Sequence, residues 1–225
     1  IEIWNLVFMQ FEQMADGSQV ELPKPSIDTG AGLERVLSVV QGVDSVWELD
    51  HIRSLIAAVE EQSGRTYGVD ERIDVSLRIV AEHGRTAAFL VADGVVPSNE
   101  DRGYVLRRII RRAVRHAYLL GIEEPTLPGV VDEVVEQMGA DYPELIAQRD
   151  HIASTIRREE TRFRETMRHG LGILDEHLAG LPEGGRLDGT VAFTLHDTYG
   201  FPIDLTLEMA EEAGLSVDEE RFRTL

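Results

Sequence analysis

Six arginines between positions 101 and 120 have the spacing of a helix that could contact phosphates. Pairs of apolar residues alternate there with pairs of basic residues, which predicts one buried and one basic face. Arg102 comes first, and the predicted basic face comprises Arg107, Arg108, Arg111, Arg112, Arg115 and His116. The chain has a net charge of −19, so a row of planar, forked donors suits a polyanion. The alternative is that these arginines pair with Glu and Asp of neighbouring helices.

Asn99 and Asp197 are polar residues at predicted helix ends, where each could either recognise a base edge or cap a helix. The amide of Asn99 both donates and accepts, but Ser98 or Asn99 could also cap the arginine helix. Asp197 precedes Gly200, a predicted helix end, and Pro202, the predicted first position of the next helix. From the residues alone, capping is the favoured role for Asp197, and both roles stay open for Asn99.

The run from Asp28 to Arg35 joins an extended segment to a helix and contains two glycines. Gly30 and Gly32 would let a flat or phosphorylated ligand approach the backbone at the start of a helix, which favours anions. Arg35 could reach a phosphate, and Asp28 could accept a cationic amine. The same Gly-x-Gly spacing equally describes an ordinary junction between a loop and a helix.

The composition excludes several kinds of protein. A chain of 225 residues with 43% hydrophobic and 28% charged residues predicts one or two globular domains. Without cysteine there is no disulfide or thiolate metal site, which fits a reducing cytosol, and the histidines show no zinc-ligand spacing. No apolar run approaches the roughly 18 residues of a membrane span, and no signal peptide is visible. The chain begins at Ile1 inside a strand-like run, which indicates a piece of a longer protein.

The elements that must position these residues are mostly helices. Strands are predicted at 3–13 and 19–22, joined by a hairpin turn at 15–18 and followed by an extended connection through Pro23 and Pro25. Predicted helices cover 33–40, 46–62, 70–92, 101–120, 129–138, 143–179 and 202–213, with another starting near 218. The fold class is therefore mainly α with a small antiparallel β portion (α+β), divided into residues 1–43 and 44–225.

The longest predicted helix, 143–179, has a coiled-coil-like row of apolar residues and an expected bend at Gly170 and Gly172. The apolar row comprises Ile152, Ile156, Phe163, Met167, Leu174 and Leu178. Its predicted charged outer face comprises Arg157, Arg158, Glu159, Glu160, Arg162, Arg164, Glu165 and Arg168. The favoured interpretation is a solvated helix packed on one side.

Five ordered stretches closely resemble alanyl-tRNA synthetases of the bacterial type, a class II family: 2–11, 23–35, 93–99, 102–112 and 197–202. The resemblance implies that 1–43 is the end of the catalytic domain and that 44–225 is the helical domain that recognises the tRNA acceptor stem. The parent would be a cytoplasmic enzyme that activates alanine with ATP and Mg2+ and transfers it to tRNA(Ala).

The resemblance also implies roles for single residues. Gly30, Gly32 and Arg35 match the third class II motif and would bind ATP. Asn5, Asp28 and Gly30 would line the alanine site, with Asp28 holding the ammonium group.

In the second predicted domain, Asn99 and Asp197 would recognise the G·U pair of the acceptor stem. The arginines would lie along that stem: Arg102, Arg107, Arg108, Arg111, Arg112 and Arg115.

Several parts of the family pattern are missing from this sequence. The first two class II motifs, the zinc-binding editing domain and the C-terminal oligomerisation domain are expected only in the parent. The fragment alone is therefore expected to bind the acceptor stem without forming the adenylate. The alternative is a non-catalytic helical module that binds nucleic acid. Neither a membrane nor DNA is an expected partner.

Overall fold

Two long strands form an antiparallel ribbon near the start of the chain. They are β1 (Trp4–Gln13) and β2 (Gln19–Ala31), and Gly17 has a φ of 85° in the turn between them. The predicted return strand ended at residue 22, but pairing resumes beyond it and continues to Ala31. Met9 pairs with Ser26 and Phe11 with Glu21, so residues 22–25 fall in a bulge. Prolines are tolerated at such a position because it lacks ladder hydrogen bonds.

The computed structural model describes residues 2–225, and the chain divides into two units, 1–53 and 54–225. In the first unit, α1 (Leu33–Gln41) follows the ribbon and ends at Gly42, whose φ of 68° matches the predicted stop. A short 3₁₀ helix (Val46–Glu48) precedes α2 (Asp50–Ser63), which spans the division between the units. The predicted assignment of function to 1–43 and 44–225 stays a prediction.

The second unit is almost entirely helical. Its further helices are α3 (Glu71–Ala92), α4 (Asp101–Leu119), α5 (Leu127–Met138), α6 (Pro143–Ala147), α7 (Arg149–Ala179), α8 (Gly189–Asp197), α9 (Ile203–Glu212) and α10 (Glu219–Arg223). Two parallel two-residue strands, β3 (Arg186–Leu187) and β4 (Ser216–Val217), were not predicted. The described residues, 2–225, include no helix both long and apolar enough to span a membrane. The mainly α fold with a small antiparallel sheet is confirmed.

The apolar row of α7 is buried as predicted, but the predicted outer face is wrong at three positions. Glu159, Glu160 and Arg164 are only 4%, 0% and 7% exposed. At 100° per residue, these three positions project toward the same side of the helix as Ile156 and Phe163. The prediction is wrong at these positions because it assigns every charged residue of the helix to the exposed face. The exposed remainder of the predicted face comprises Arg157, Arg158, Arg162, Glu165 and Arg168.

The buried Glu160–Arg164 pair fastens the connection between α4 and α5. The two Glu160 carboxylate oxygens accept the backbone N–H groups of Thr126 (2.8 Å) and Leu127 (3.0 Å) at the start of α5. Arg164 donates to the carbonyl of Ile122 (2.8 Å) and to Glu160 (2.9 Å). The pair thus satisfies amides that the helix leaves free, and its two charges compensate each other in a buried position.

Gly170 and Gly172 do not interrupt α7, which remains helical from 149 to 179. A Cβ at Gly170 would lie 2.6 Å from Cδ2 of Phe201, whose side chain is fully buried. A Cβ at Gly172 would meet nothing within 4 Å. Gly170 is therefore explained by the close approach of the segment before α9 rather than by a bend.

Candidate functional site

The residues predicted to bind alanine lie together on one face of the ribbon. Asn5 is directly opposite Gly30, and Val7 is directly opposite Asp28. Directly opposed residues of antiparallel strands share a face, as do residues two apart along a strand. The side chains of Asn5 and Asp28 therefore project from the same face. The ribbon thus brings together the three residues of the predicted alanine site.

Asn5 also holds this end of the ribbon together. Its side-chain oxygen accepts the backbone N–H of Gly30 (3.1 Å), and its amide nitrogen donates to the carboxylate of Glu2 (3.1 Å). A Cβ at position 30 would lie 3.3 Å from the Asn5 oxygen, so the lack of a side chain at Gly30 allows this close contact. Asp28, by contrast, is exposed and has no hydrogen bond or ion pair in the described chain, residues 2–225. Its carboxylate is therefore available to a cationic group.

Gly32 and Arg35 lie at the N-terminus of α1. Gly32 is the N-cap residue, and no side chain caps the first turn there. The Arg35 side chain folds back toward Gly32, since a Cβ at that glycine would lie 3.1 Å from Arg35 Cδ. One guanidinium nitrogen of Arg35 donates to the carbonyl of Glu2 (2.8 Å). Uncapped amides and an exposed guanidinium are together suited to an anionic ligand.

The arginine row of α4 does not form one exposed face, so the two-face prediction is wrong at both ends. Arg115 and His116 are 2% and 4% exposed, whereas Val105, predicted on the apolar side, is 48% exposed. The sequence pattern repeats every four residues, but the helix has 3.6 residues per turn. The pattern therefore rotates by about 40° per repeat, and its last basic positions turn into the core.

Each arginine of the row from 107 to 115 has an acidic partner. The pairs are Arg107–Glu159, Arg108–Asp204, Arg111–Glu159, Arg112–Glu208 and Arg115–Glu212. This is the arrangement given above as the alternative to phosphate contacts. Arg108 and Arg112 nevertheless keep 53% and 45% of their side chains exposed, at 3.4 Å from their partners. Arg102 is exposed and has no partner among residues 2–225.

Glu208 is the acidic residue most strongly perturbed by this row. Its Oε1 lies 3.4 Å from Arg112, 3.7 Å from Arg115 and 3.6 Å from Nε2 of His116. The close approach of the His116 ring and the charge of the two arginines outweigh burial and lower the pKa of Glu208 to about 2. The C-terminal part of α4 is thus attached to α9 by charge.

Asn99 is held in place by α4 but does not cap it. The N-cap residue is Glu100, without a side-chain cap hydrogen bond, so the predicted capping by Ser98 or Asn99 is wrong. The Asn99 side-chain oxygen accepts from Arg107, which also donates to the carbonyl of Pro97 (3.4 Å). Its amide nitrogen donates to no other group in the described residues, 2–225. Asn99 therefore presents a donor.

Asp197 lies at the end of α8, in front of a tight turn. Gly200 has a φ of 67°, and the N–H of Phe201 bonds to the carbonyl of Leu195 (2.8 Å). Asp197 is exposed, and its carboxylate forms no hydrogen bond or ion pair within residues 2–225. The favoured capping role is therefore not observed, and the carboxylate is free. Pro202 is the N-cap residue of α9 rather than its first helical residue.

One chain of contacts links Asn99 to the turn that follows Asp197. Asn99 is bonded to Arg107, whose Nε lies 3.0 Å from the Glu159 carboxylate without being aligned to donate to it. Arg111 donates to the same Glu159 oxygen (3.0 Å) and to the carbonyl of Gly200 (3.1 Å). We call these five residues, together with Asp197, the reader cluster. Residues 99, 159 and 197 come from distant parts of the sequence.

Glu159 is the member of this cluster that sequence reasoning missed. It was assigned to the exposed face of the long helix, but it is buried and shared by two guanidiniums. Its spacing of three and four from Ile156 and Phe163, both in the apolar row, was the signal that could have located it. Phe163 also lies under Arg111, with 5.0 Å between the guanidinium carbon and the ring centre.

Comparison with known proteins gives a consistent result over the whole chain. A family model described as tRNA synthetases class II (A) matches residues 1–225. The chain is 56% identical over 223 residues to an alanine–tRNA ligase of Caulobacter sp. (strain K31). It is 54% and 53% identical over 222 residues to proteins of the same name from Bradyrhizobium diazoefficiens and Bordetella petrii. These alignments cover 99% of this chain and 25% of each relative, so the chain spans about a quarter of their length.

Proposed function

This chain belongs to the class II (A) family of tRNA synthetases, and we propose that it comprises the end of the catalytic domain and the tRNA-recognition domain of an alanine–tRNA ligase. The parent enzyme would activate alanine with ATP and transfer it to tRNA(Ala). The portion described here would bind the acceptor stem and recognise its G·U pair. The observation that carries this proposal is the reader cluster, in which Asn99 and the turn after Asp197 are joined through α4 and α7.

The free groups of the reader cluster are complementary to a G·U pair. A-form RNA exposes base edges in its wide, shallow minor groove, where guanine presents its exocyclic amine as a donor and N3 and O2 atoms are acceptors. Asp197 offers an unpaired carboxylate that can accept from this amine. Asn99 offers a donor, because Arg107 already occupies its oxygen. We therefore assign the amine to Asp197 and a minor-groove acceptor atom to Asn99.

The arginines of α4 divide into two roles under this proposal. Arg107 and Arg111 position the reading residues, since both are tied to Glu159 and to backbone carbonyls. Arg102, Arg108 and Arg112 are exposed enough to contact phosphates, which would set the register of the stem. Arg115 is buried against the acidic residues of α9. We therefore assign it to holding α4 and α9 together.

The ribbon would contribute to the alanine and ATP sites of the parent. Asp28 would hold the alanine ammonium group beside Asn5 and Gly30, and Arg35 at the start of α1 would contact ATP. Residues 2–225 contain no group of three His, Asp or Glu side chains placed to hold a metal ion. We expect the chain alone to give no ATP–pyrophosphate exchange.

Binding to two matched acceptor-stem helices, one with G·U and one with G·C, tests the proposal. The unchanged chain should prefer the G·U stem. Asn99→Ala and Asp197→Ala should each reduce that preference by about 1–3 kcal/mol, the value of one base contact. Asp175→Ala removes an exposed carboxylate elsewhere on α7 and should leave the preference unchanged. Preference that persists in both variants, or equal competition by duplex DNA, would contradict the proposal.

A further inference from the structure

A second group of arginines lies on α7 and differs from the α4 row because it has no acidic partners. Arg157, Arg158, Arg162 and Arg168 are all exposed, and none forms a hydrogen bond or ion pair within residues 2–225. We call them the α7 arginine surface. The chain has 41 acidic residues against 22 Lys and Arg. Four neighbouring arginines without a carboxylate partner therefore form a positive area on a protein whose net charge is negative.

Helix geometry places these four side chains on one surface. At 100° per residue they occupy an arc of about 140° on the side of α7 opposite its apolar row. From position 157 to position 168 the helix rises about 16 Å. Among the acidic residues in this interval, Glu159 and Glu160 are buried and only Glu165 is exposed. The surface therefore has a positive charge that its own helix does not neutralise.

This surface begins next to the reader cluster. Glu159, which holds Arg107 and Arg111, is adjacent to Arg158 in sequence and lies one helical turn from Arg162. The α7 helix thus passes directly from the reader cluster to the α7 arginine surface. The two groups are thus neighbours along α7, with Glu159 on its packed side and the α7 arginine surface on its exposed side.

We propose that the α7 arginine surface binds the phosphate backbone of the RNA whose acceptor stem lies at the reader cluster. The inference rests on the proposed function and adds a contact that does not depend on base sequence. Guanidinium groups bind phosphate oxygens through two parallel hydrogen bonds, and such contacts set position without reading bases. The four arginines of the surface need not exchange an existing carboxylate for a phosphate. The α4 arginines from 107 to 115 would have to do so.

The test removes two charges from the surface and compares the result with an equal loss elsewhere. The variant is Arg158→Gln/Arg162→Gln, and the control is Lys24→Gln/Arg72→Gln. The control residues are also exposed and without a side-chain partner in the described chain, residues 2–225. Binding of the G·U and G·C stems is measured over a range of salt concentrations.

The variant should bind both stems about tenfold more weakly at low salt. The slope of log affinity against log salt should fall by about 1–2, since each lost phosphate contact reduces it by nearly one. The ratio of G·U to G·C affinity should stay unchanged, and the control should keep the original slope. An unchanged slope in the variant, or an equal change in the control, would overturn the proposal.

The outcomes separate this inference from the proposed function. Suppose that the unchanged chain binds both stems equally, but the variant has a smaller slope of log affinity against log salt. The proposed recognition of the G·U pair is then wrong, whereas phosphate binding by the α7 arginine surface is supported. If the G·U preference persists while the variant keeps its slope, only the α7 inference fails. Binding of polyglutamate in place of either stem, lost in the variant, would assign the surface to an acidic protein and overturn the inference.

Discussion

Apolar residues are exposed in the ribbon but mostly buried in the helical unit. Six of the ten residues of β1 are apolar, yet none of the ten is buried. In α7, eleven of 31 residues are buried, including three charged ones. Two strands alone do not provide a second layer for either face, whereas α7 packs against α3, α4 and α5. Burial here follows from the neighbours of an element rather than from the polarity of its residues.

The largest effect that would sharpen this comparison is expected at the buried ion pair. Arg164→Ala would leave Glu160, which is 0% exposed, as an uncompensated buried charge. We expect a loss of about 3–5 kcal/mol in the free energy of unfolding, measured by chemical denaturation. Arg157→Ala on the exposed side of the same helix should change it by less than about 0.5 kcal/mol. A similar small loss in both variants would show that the buried pair contributes little.

A smaller effect on stability is expected at the glycines of α7. Gly170→Ala would bring a methyl group to 2.6 Å from Phe201. We expect destabilisation by about 1–3 kcal/mol from overpacking. Gly172→Ala meets open space and should be neutral or stabilise the helix by up to about 1 kcal/mol. Thermal melts of the two variants give the comparison, and a stabilised Gly170 variant would refute the packing explanation.

The smallest effect is expected in the ribbon. Phe8 is 64% exposed and Phe163 is 0% exposed. Phe8→Ala should change the unfolding free energy by less than about 0.5 kcal/mol. Phe163→Ala, the same change in the core, should cost about 3–5 kcal/mol. Equal losses of unfolding free energy in the two variants would contradict the difference in burial between the ribbon and the helical unit.

Local signals predicted most helix positions. The helix expected at 70–92 is observed at Glu71–Ala92, because Asp70 caps it by accepting the N–H groups of Arg72 and Ile73. The length of β2 was underestimated because Pro23 and Pro25 argued against a strand, and only the register with β1 shows that they lie in a bulge. Propensity describes single residues well, whereas pairing between strands depends on residues far along the chain.

The sequence pointed to most residues of the candidate site, but not to Glu159 or to the contacts that join these residues. The sequence indicated Asn99 and Asp197 without deciding between capping and recognition. The structure excludes capping by Asn99, because Arg107 occupies its side-chain oxygen, and Arg107 in turn contacts Glu159, which lies sixty residues after Asn99. Helical spacing places Glu159 on the apolar side of α7, but it does not identify Arg107 as its partner. The burial of Glu160 and Arg164 was missed because charged residues are rarely buried unless they are paired, and these two, four residues apart on α7, pair with each other.

The Glu160–Arg164 pair has a consequence for how this sequence can diverge. Losing either residue first leaves the other as a buried charge and frees the amides that Glu160 holds at the start of α5. An apolar replacement of both could restore the packing, but every single-step route to it passes through a poorly folded intermediate. We therefore expect Glu160 and Arg164 to be replaced rarely during evolution, and then only together. The neighbouring codons for Arg157 and Arg158 carry no such constraint from folding.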